Sequence, residues 1–88
     1  DAVDVLIGPH PESEVIFVVN QMKYPDMKEL DEHKVLVGFR SAREAKAAYL
    51  GCYKPGWKCG PIGTITLDQF KAWMKDGDRS KPVTPATP

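Results

Sequence analysis

Five apolar residues in succession, Val15-Ile16-Phe17-Val18-Val19, make the most hydrophobic stretch of the chain. So continuous a run leaves no polar face, and it predicts a central strand covered on both sides. Upstream, Val3-Asp4-Val5-Leu6-Ile7 is short, rich in β-branched residues and closed by Gly8-Pro9, which predicts a first strand. His10 to Ser13 make a proline-containing turn, and residues 20–31, with Asn20, Pro25 and mixed charges, read as a polar hairpin-like loop. From His33 to Phe39 the pattern alternates. Val35, Val37 and Phe39 are expected on one side of a strand, with Lys34, Leu36 and Gly38 on the other.

The period then changes to that of a helix. Ser41-Ala42-Arg43-Glu44 is a capping box, after which Ala42, Ala45, Ala48, Tyr49, Cys52 and Tyr53 recur at helical spacing. Gly51 weakens the last turn by about 1 kcal/mol, and Pro55-Gly56 stops the helix. Ile62 to Thr66 predicts a short strand. Thr66-Leu67-Asp68-Gln69 is a second capping box, and Leu67, Phe70, Trp73 and Met74 form an apolar stripe. Gly77 stands where a left-handed helix C-cap belongs. The expected fold class is α+β, a small and mainly antiparallel sheet of three to four strands packed with two helices. The expected domain is 1–77, with 78–88 as a disordered tail, because that stretch is rich in proline and threonine and nearly without apolar residues.

Composition adds limits. Eighty-eight residues make one small domain near the lower end of what folds alone. Twelve basic and twelve acidic residues balance, which gives no sign of a nucleic-acid partner or a charged membrane surface. No apolar run approaches a membrane span. Cys52 and Cys59 read as free thiols in a reducing compartment, so the expected setting is the cytoplasm and the expected state a monomer. With His10 and His33 they lack the spacing of a zinc knuckle. The charge is uneven, however. Residues 1–40 hold eight acids and four bases, and residues 41–88 hold four acids and eight bases. Folding mixes such halves over a surface, unless it opposes them to build a site.

Three short segments carry a resemblance. Asp1-Ala2-Val3-Asp4-Val5-Leu6 is similar to the end of the soluble inorganic pyrophosphatase signature, Asp-x-Asp-Pro-x-Asp-Val-Leu, with Ala2 in the proline position. Leu30-Asp31-Glu32-His33-Lys34-Val35-Leu36-Val37 resembles the second acidic segment of that family, with Glu32 one methylene longer than the usual Asp. Tyr53-Lys54 resembles its phosphate-binding Tyr-Lys pair, and the three follow in the family's order. A closer likeness is to a compact pyrophosphatase-like domain of phage and prophage proteins. Here the matching stretches are Asp4 to Pro9, Phe17 to Val19, Asp31 to Val35, the helix through Tyr53, Gly56-Trp57, and Leu67 to Trp73. Relative to the classical enzyme the chain is expected to be incomplete at its N-terminus, whether trimmed or naturally shorter.

The resemblance implies magnesium-dependent binding or hydrolysis of pyrophosphate or another phosphoanhydride. Asp1, Asp4 and Glu32 would be catalytic. Asp1, Asp4, Asp31 and Glu32 would be the metal ligands, since Mg²⁺ takes hard oxygen donors and keeps several waters. Lys34, Tyr53 and Lys54 would hold phosphate, the lysines as point charges and Tyr53 by a hydrogen bond to the leaving group. Each residue also has an ordinary role: Asp31-Glu32 in a solvated turn, Lys34 on an exposed strand face, Tyr53 over the core with its hydroxyl in water. The alternative is a non-catalytic binding or structural module with a degenerate site, meeting a protein partner around Trp57.

Overall fold

The apolar run at 15–19 is the middle of an eight-residue strand, β2 (Val15–Met22). The computed structural model describes residues 3–84. Before β2 comes β1 (Asp4–Ile7), and after it come β3 (Leu30–Val37), α1 (Ala42–Leu50), β4 (Ile62–Thr66) and α2 (Leu67–Asp76). The sheet order is β1-β3-β2-β4. β2 is antiparallel to both neighbours, and β1 joins the edge parallel to β3. The result is a mixed, mostly antiparallel four-stranded sheet with two helices. Among the described residues no helix is long and apolar enough to cross a membrane.

β2 is covered on both sides because its alternate residues feed two cores. Ile16 and Val18 join Val35, Ile65 and Trp73 under α2, while Phe17 and Val19 join Leu36, Ala45 and Tyr49 under α1. Small residues on the inner face of α1, with Ala45 wholly buried, let that helix lie close to the sheet. The polar loop is narrower than its composition suggests. β2 continues through Asn20 and Gln21, and β3 begins at Leu30, so that only residues 23–29 turn the hairpin.

Alternation in β3 holds only as far as Gly38. Val35 and Val37 face α2 and Leu36 faces α1, but Phe39 packs with the α1 core instead of beside Val37. Gly38 has φ +83, a conformation open to glycine, and this breaks the period-two pattern. The same glycine lies against Gly8, where a Cβ would overlap the Gly38 carbonyl and reach the Phe39 ring at 2.8 Å.

Both helix starts form as their capping residues predict, with a difference at α1. Thr66 and Gln69 make a reciprocal box. At α1, Ser41 accepts from the Glu44 amide, but the Glu44 carboxylate reaches back to the amide of Arg40. α1 ends at Leu50, before Pro55-Gly56. Gly77 is not a left-handed cap: its φ and ψ are −71 and 153, and the glycine is required because a Cβ would overlap the Trp73 ring and carbonyl. Of the expected stripe on α2, Trp73 is buried and Phe70 packs beside it, while Leu67 and Met74 are exposed.

Residues 78–84 of the expected tail pack on the α2 face. Val83 is 2% exposed and sits in that core. The wholly buried Asn20 side chain donates to the Val83 carbonyl at 2.8 Å and accepts from the Val83 amide at 2.6 Å. His33 Nε2 lies 2.9 Å from the Lys81 carbonyl, and the Arg79 guanidinium lies over the Trp73 ring. One apolar side chain and hydrogen bonds from the Asn20 and His33 side chains to its backbone therefore hold this segment down. Residues 85–88 lie outside the described residues.

Candidate functional site

Parallel pairing places Asp4 of β1 beside Lys34 of β3. Glu32 is two residues away on β3, so the pleat projects it to the same face as Lys34. Gln21 stands opposite Glu32 on β2, where the ladder slips between Gln21 and Met22. Tyr49 of α1 and Tyr53, just beyond its end, close the side above. Asp4, Lys34, Tyr49, Cys52 and Tyr53 line a cleft of about 200 Å³ on this α1 face.

The contacts form one connected chain. Lys34 Nζ lies 2.5 Å from both Asp4 Oδ2 and Glu32 Oε1. Gln21 Nε2 donates toward Glu32 Oε1 at 3.5 Å, and its Oε1 accepts from the hydroxyls of Tyr49 at 2.7 Å and Tyr53 at 3.0 Å. Trp57 Nε1 donates to the Tyr49 hydroxyl at 2.8 Å. Burial by itself would lower the Lys34 pKa, but the hydrogen bonds to Asp4 and Glu32 outweigh it and hold the ammonium above its ordinary value. Burial is also the chief reason that the Tyr49 phenol is pushed up to about 12, so that it stays protonated and donates.

Two carboxylates around one ammonium leave an excess negative charge. Such a cleft attracts a cation and repels bare phosphate. Asp4 engages Lys34 through Oδ2 and Glu32 through Oε1, which leaves Asp4 Oδ1 and Glu32 Oε2 to a further ligand. These are hard, solvent-reached oxygens, and Mg²⁺ commonly uses one or two carboxylates together with waters and substrate phosphates. The donor chemistry fits that ion, although no group of three His, Cys, Asp or Glu side chains gathers among the described residues.

The sequence-predicted site residues divide. Asp4, Glu32, Lys34 and Tyr53 come together. Asp31 does not join them, because strand alternation turns it to the opposite face, that of His33. Lys54 is exposed in the next loop and does not line the cleft. The Tyr53 proton is given to Gln21. Asp1 lies outside the described residues. Gln21 and Tyr49 were missed. Gln21 fell in a stretch read as loop, and Tyr49 read as helix core. The available signal was polar Asn20-Gln21 directly continuing an apolar strand. A larger groove of about 780 Å³ lies elsewhere, near Ile7 and Leu67; Glu12, Glu14 and Asp68 line it and no lysine or arginine does, so it suits phosphate poorly.

The fold and cleft thus define a small domain with a lysine-bridged carboxylate pair at one side of a mixed sheet. The family model for inorganic pyrophosphatase (InPase) matches residues 1–75, and the chain belongs to that family. No curated protein and no solved structure gives a match.

Proposed function

We propose that this domain binds pyrophosphate or a related phosphoanhydride, together with a divalent cation, in the cleft lined by Asp4, Lys34 and Tyr53, with Glu32 bonded to Lys34 beside it, and hydrolyses it. The observation that carries the reading is the convergence of Asp4 from β1 with Glu32 and Lys34 from β3 on one point near Tyr53. Asp4 and Glu32 would hold Mg²⁺, which when bound supplies charge neutralisation and water activation. Lys34 holds a phosphate oxygen as a point charge. Gln21 and Tyr49 fix Glu32 and Tyr53, so that little ordering remains when ligand arrives. By the likeness to the family, Lys54 would add a phosphate contact and Asp1 a further carboxylate.

Phosphate release from pyrophosphate with Mg²⁺ tests the reading. Release abolished in Lys34→Met is the expected result, and an unaffected Lys34→Met would refute the assignment. A second reading, binding without turnover, is favoured by one feature: Lys34 is already bonded to both carboxylates. It predicts saturable pyrophosphate binding with no phosphate released.

A further inference from the structure

The cleft wall continues outward as a ladder of aromatic rings. Tyr53 lines the cleft and stacks on Trp57 with centroids 4.5 Å apart and planes 6° apart. Trp57 stacks in turn on Tyr24 at 4.6 Å and 21°. Tyr24 is 45% exposed and ends the ladder at the surface.

Aromatic pairs prefer edge-to-face contact, as with His33 on Trp73 at 78°, or the offset stacking that Tyr53, Trp57 and Tyr24 adopt. What sets these three apart is that the file ends at an exposed ring, as in platforms on which nucleobases stack. The ladder is also held rigid. Trp57 Nε1 is bonded to the Tyr49 hydroxyl, and the Tyr24 hydroxyl accepts from the Lys58 amide at 2.6 Å. Exposed Lys23, Lys54 and Lys58 are sequence neighbours of its rings, and of these Lys23 is paired with Glu29 at 3.6 Å. Stacked aromatics with lysines beside them in sequence, leading away from the Lys34 cleft, match a ligand with a base at one end and a phosphoanhydride at the other.

We propose that the preferred ligand is a nucleoside di- or triphosphate, its phosphates in the Lys34 cleft and its base on Tyr24. This inference rests on the phosphate reading above and specifies its substrate class. The test is a titration of the full chain with ADP, with pyrophosphate and with adenosine, in Mg²⁺, followed by the Trp57 indole N–H resonance and amide chemical shifts. The expected result is tighter binding of ADP than of pyrophosphate. Tyr24→Ala should weaken ADP binding by roughly tenfold and leave pyrophosphate unchanged. Tyr24→Phe, which keeps the ring and loses the bond to Lys58, should bind ADP like the parent. If pyrophosphate binds and ADP gains nothing, or if Tyr24→Ala weakens both alike, the stacking inference is overturned and the cleft stands. If adenosine shifts Tyr24 and Trp57 while pyrophosphate shifts nothing, the platform is supported and the phosphate cleft fails. If no ligand shifts either region, both are refuted.

Discussion

Replacing Asn20 by Ala tests how the C-terminal segment is held. The Asn20 side chain is wholly buried and makes three hydrogen bonds, to the Val83 amide and carbonyl and to the Pro61 carbonyl at 2.9 Å. The Pro61 oxygen keeps a second donor, the Asn20 amide, so the substitution orphans mainly the two Val83 groups. Each buried group left unsatisfied costs about 1–3 kcal/mol. If the segment instead lifts off, water satisfies both groups and the loss becomes that of burying Val83, about 1.5–3 kcal/mol. Orphaning both groups would cost about 2–6 kcal/mol and lifting off about 1.5–3 kcal/mol, so the cheaper route sets the loss at about 2–3 kcal/mol, a large share of the stability of a domain this size. Urea unfolding followed by tryptophan fluorescence should show the midpoint falling with little change in slope. The same substitution in a chain ending at Gly77 should cost no more than about 1 kcal/mol, because only the Pro61 bond is left to lose. Equal losses in the two chains would refute this account of Asn20.

Tyr49→Phe removes the hydroxyl shared between Gln21 and Trp57 and should cost about 1–2 kcal/mol by thermal or urea unfolding, and the Trp57 indole N–H resonance should move. Gly8→Ala drives a methyl group into the Gly38 carbonyl and the Phe39 ring, and should cost about 1–3 kcal/mol in the same assay. Burial, with the Arg79 charge adding to it and the bond to the Lys81 carbonyl opposing, holds the His33 pKa below its ordinary 6.5. The unfolded chain then takes up a proton before the folded one does, so stability is full above about pH 6.5 and falls as the pH drops below it; His33→Gln should flatten that fall. Lys34→Met should change stability by less than about 1 kcal/mol, since Asp4 and Glu32 are largely solvent-exposed, while weakening pyrophosphate binding by about tenfold or more.

Much of the fold was legible in local pattern. The unbroken apolar run at 15–19 could only be a strand covered twice, and the capping residues at Ser41 and Thr66 marked both helix starts. Of the candidate cleft, the shared face of Lys34 and Glu32 follows from period two, whereas the parallel pairing of β1 with β3 that brings up Asp4 has no local signal. The same rule, applied one residue earlier, sets Asp31 on the far side. What was not legible depended on distant partners or on backbone conformation. Phe39 changes face because of one torsion at Gly38. Val83 is buried because an asparagine 63 residues earlier in the chain captures its backbone, and nothing near Val83 announces that. Gln21 looked like loop because a lone amide is usually solvated, and its two tyrosine donors come from a helix and a turn some thirty residues on.

The most direct test of the central claim is an amide chemical-shift titration of the full chain with pyrophosphate in the presence of Mg²⁺. The account predicts saturable shifts concentrated at Asp4, Gln21, Glu32, Lys34 and Tyr53, with the groove near Ile7 and Leu67 unmoved. Shifts centred on that groove, or none at the Asp4–Lys34 pair, would contradict it.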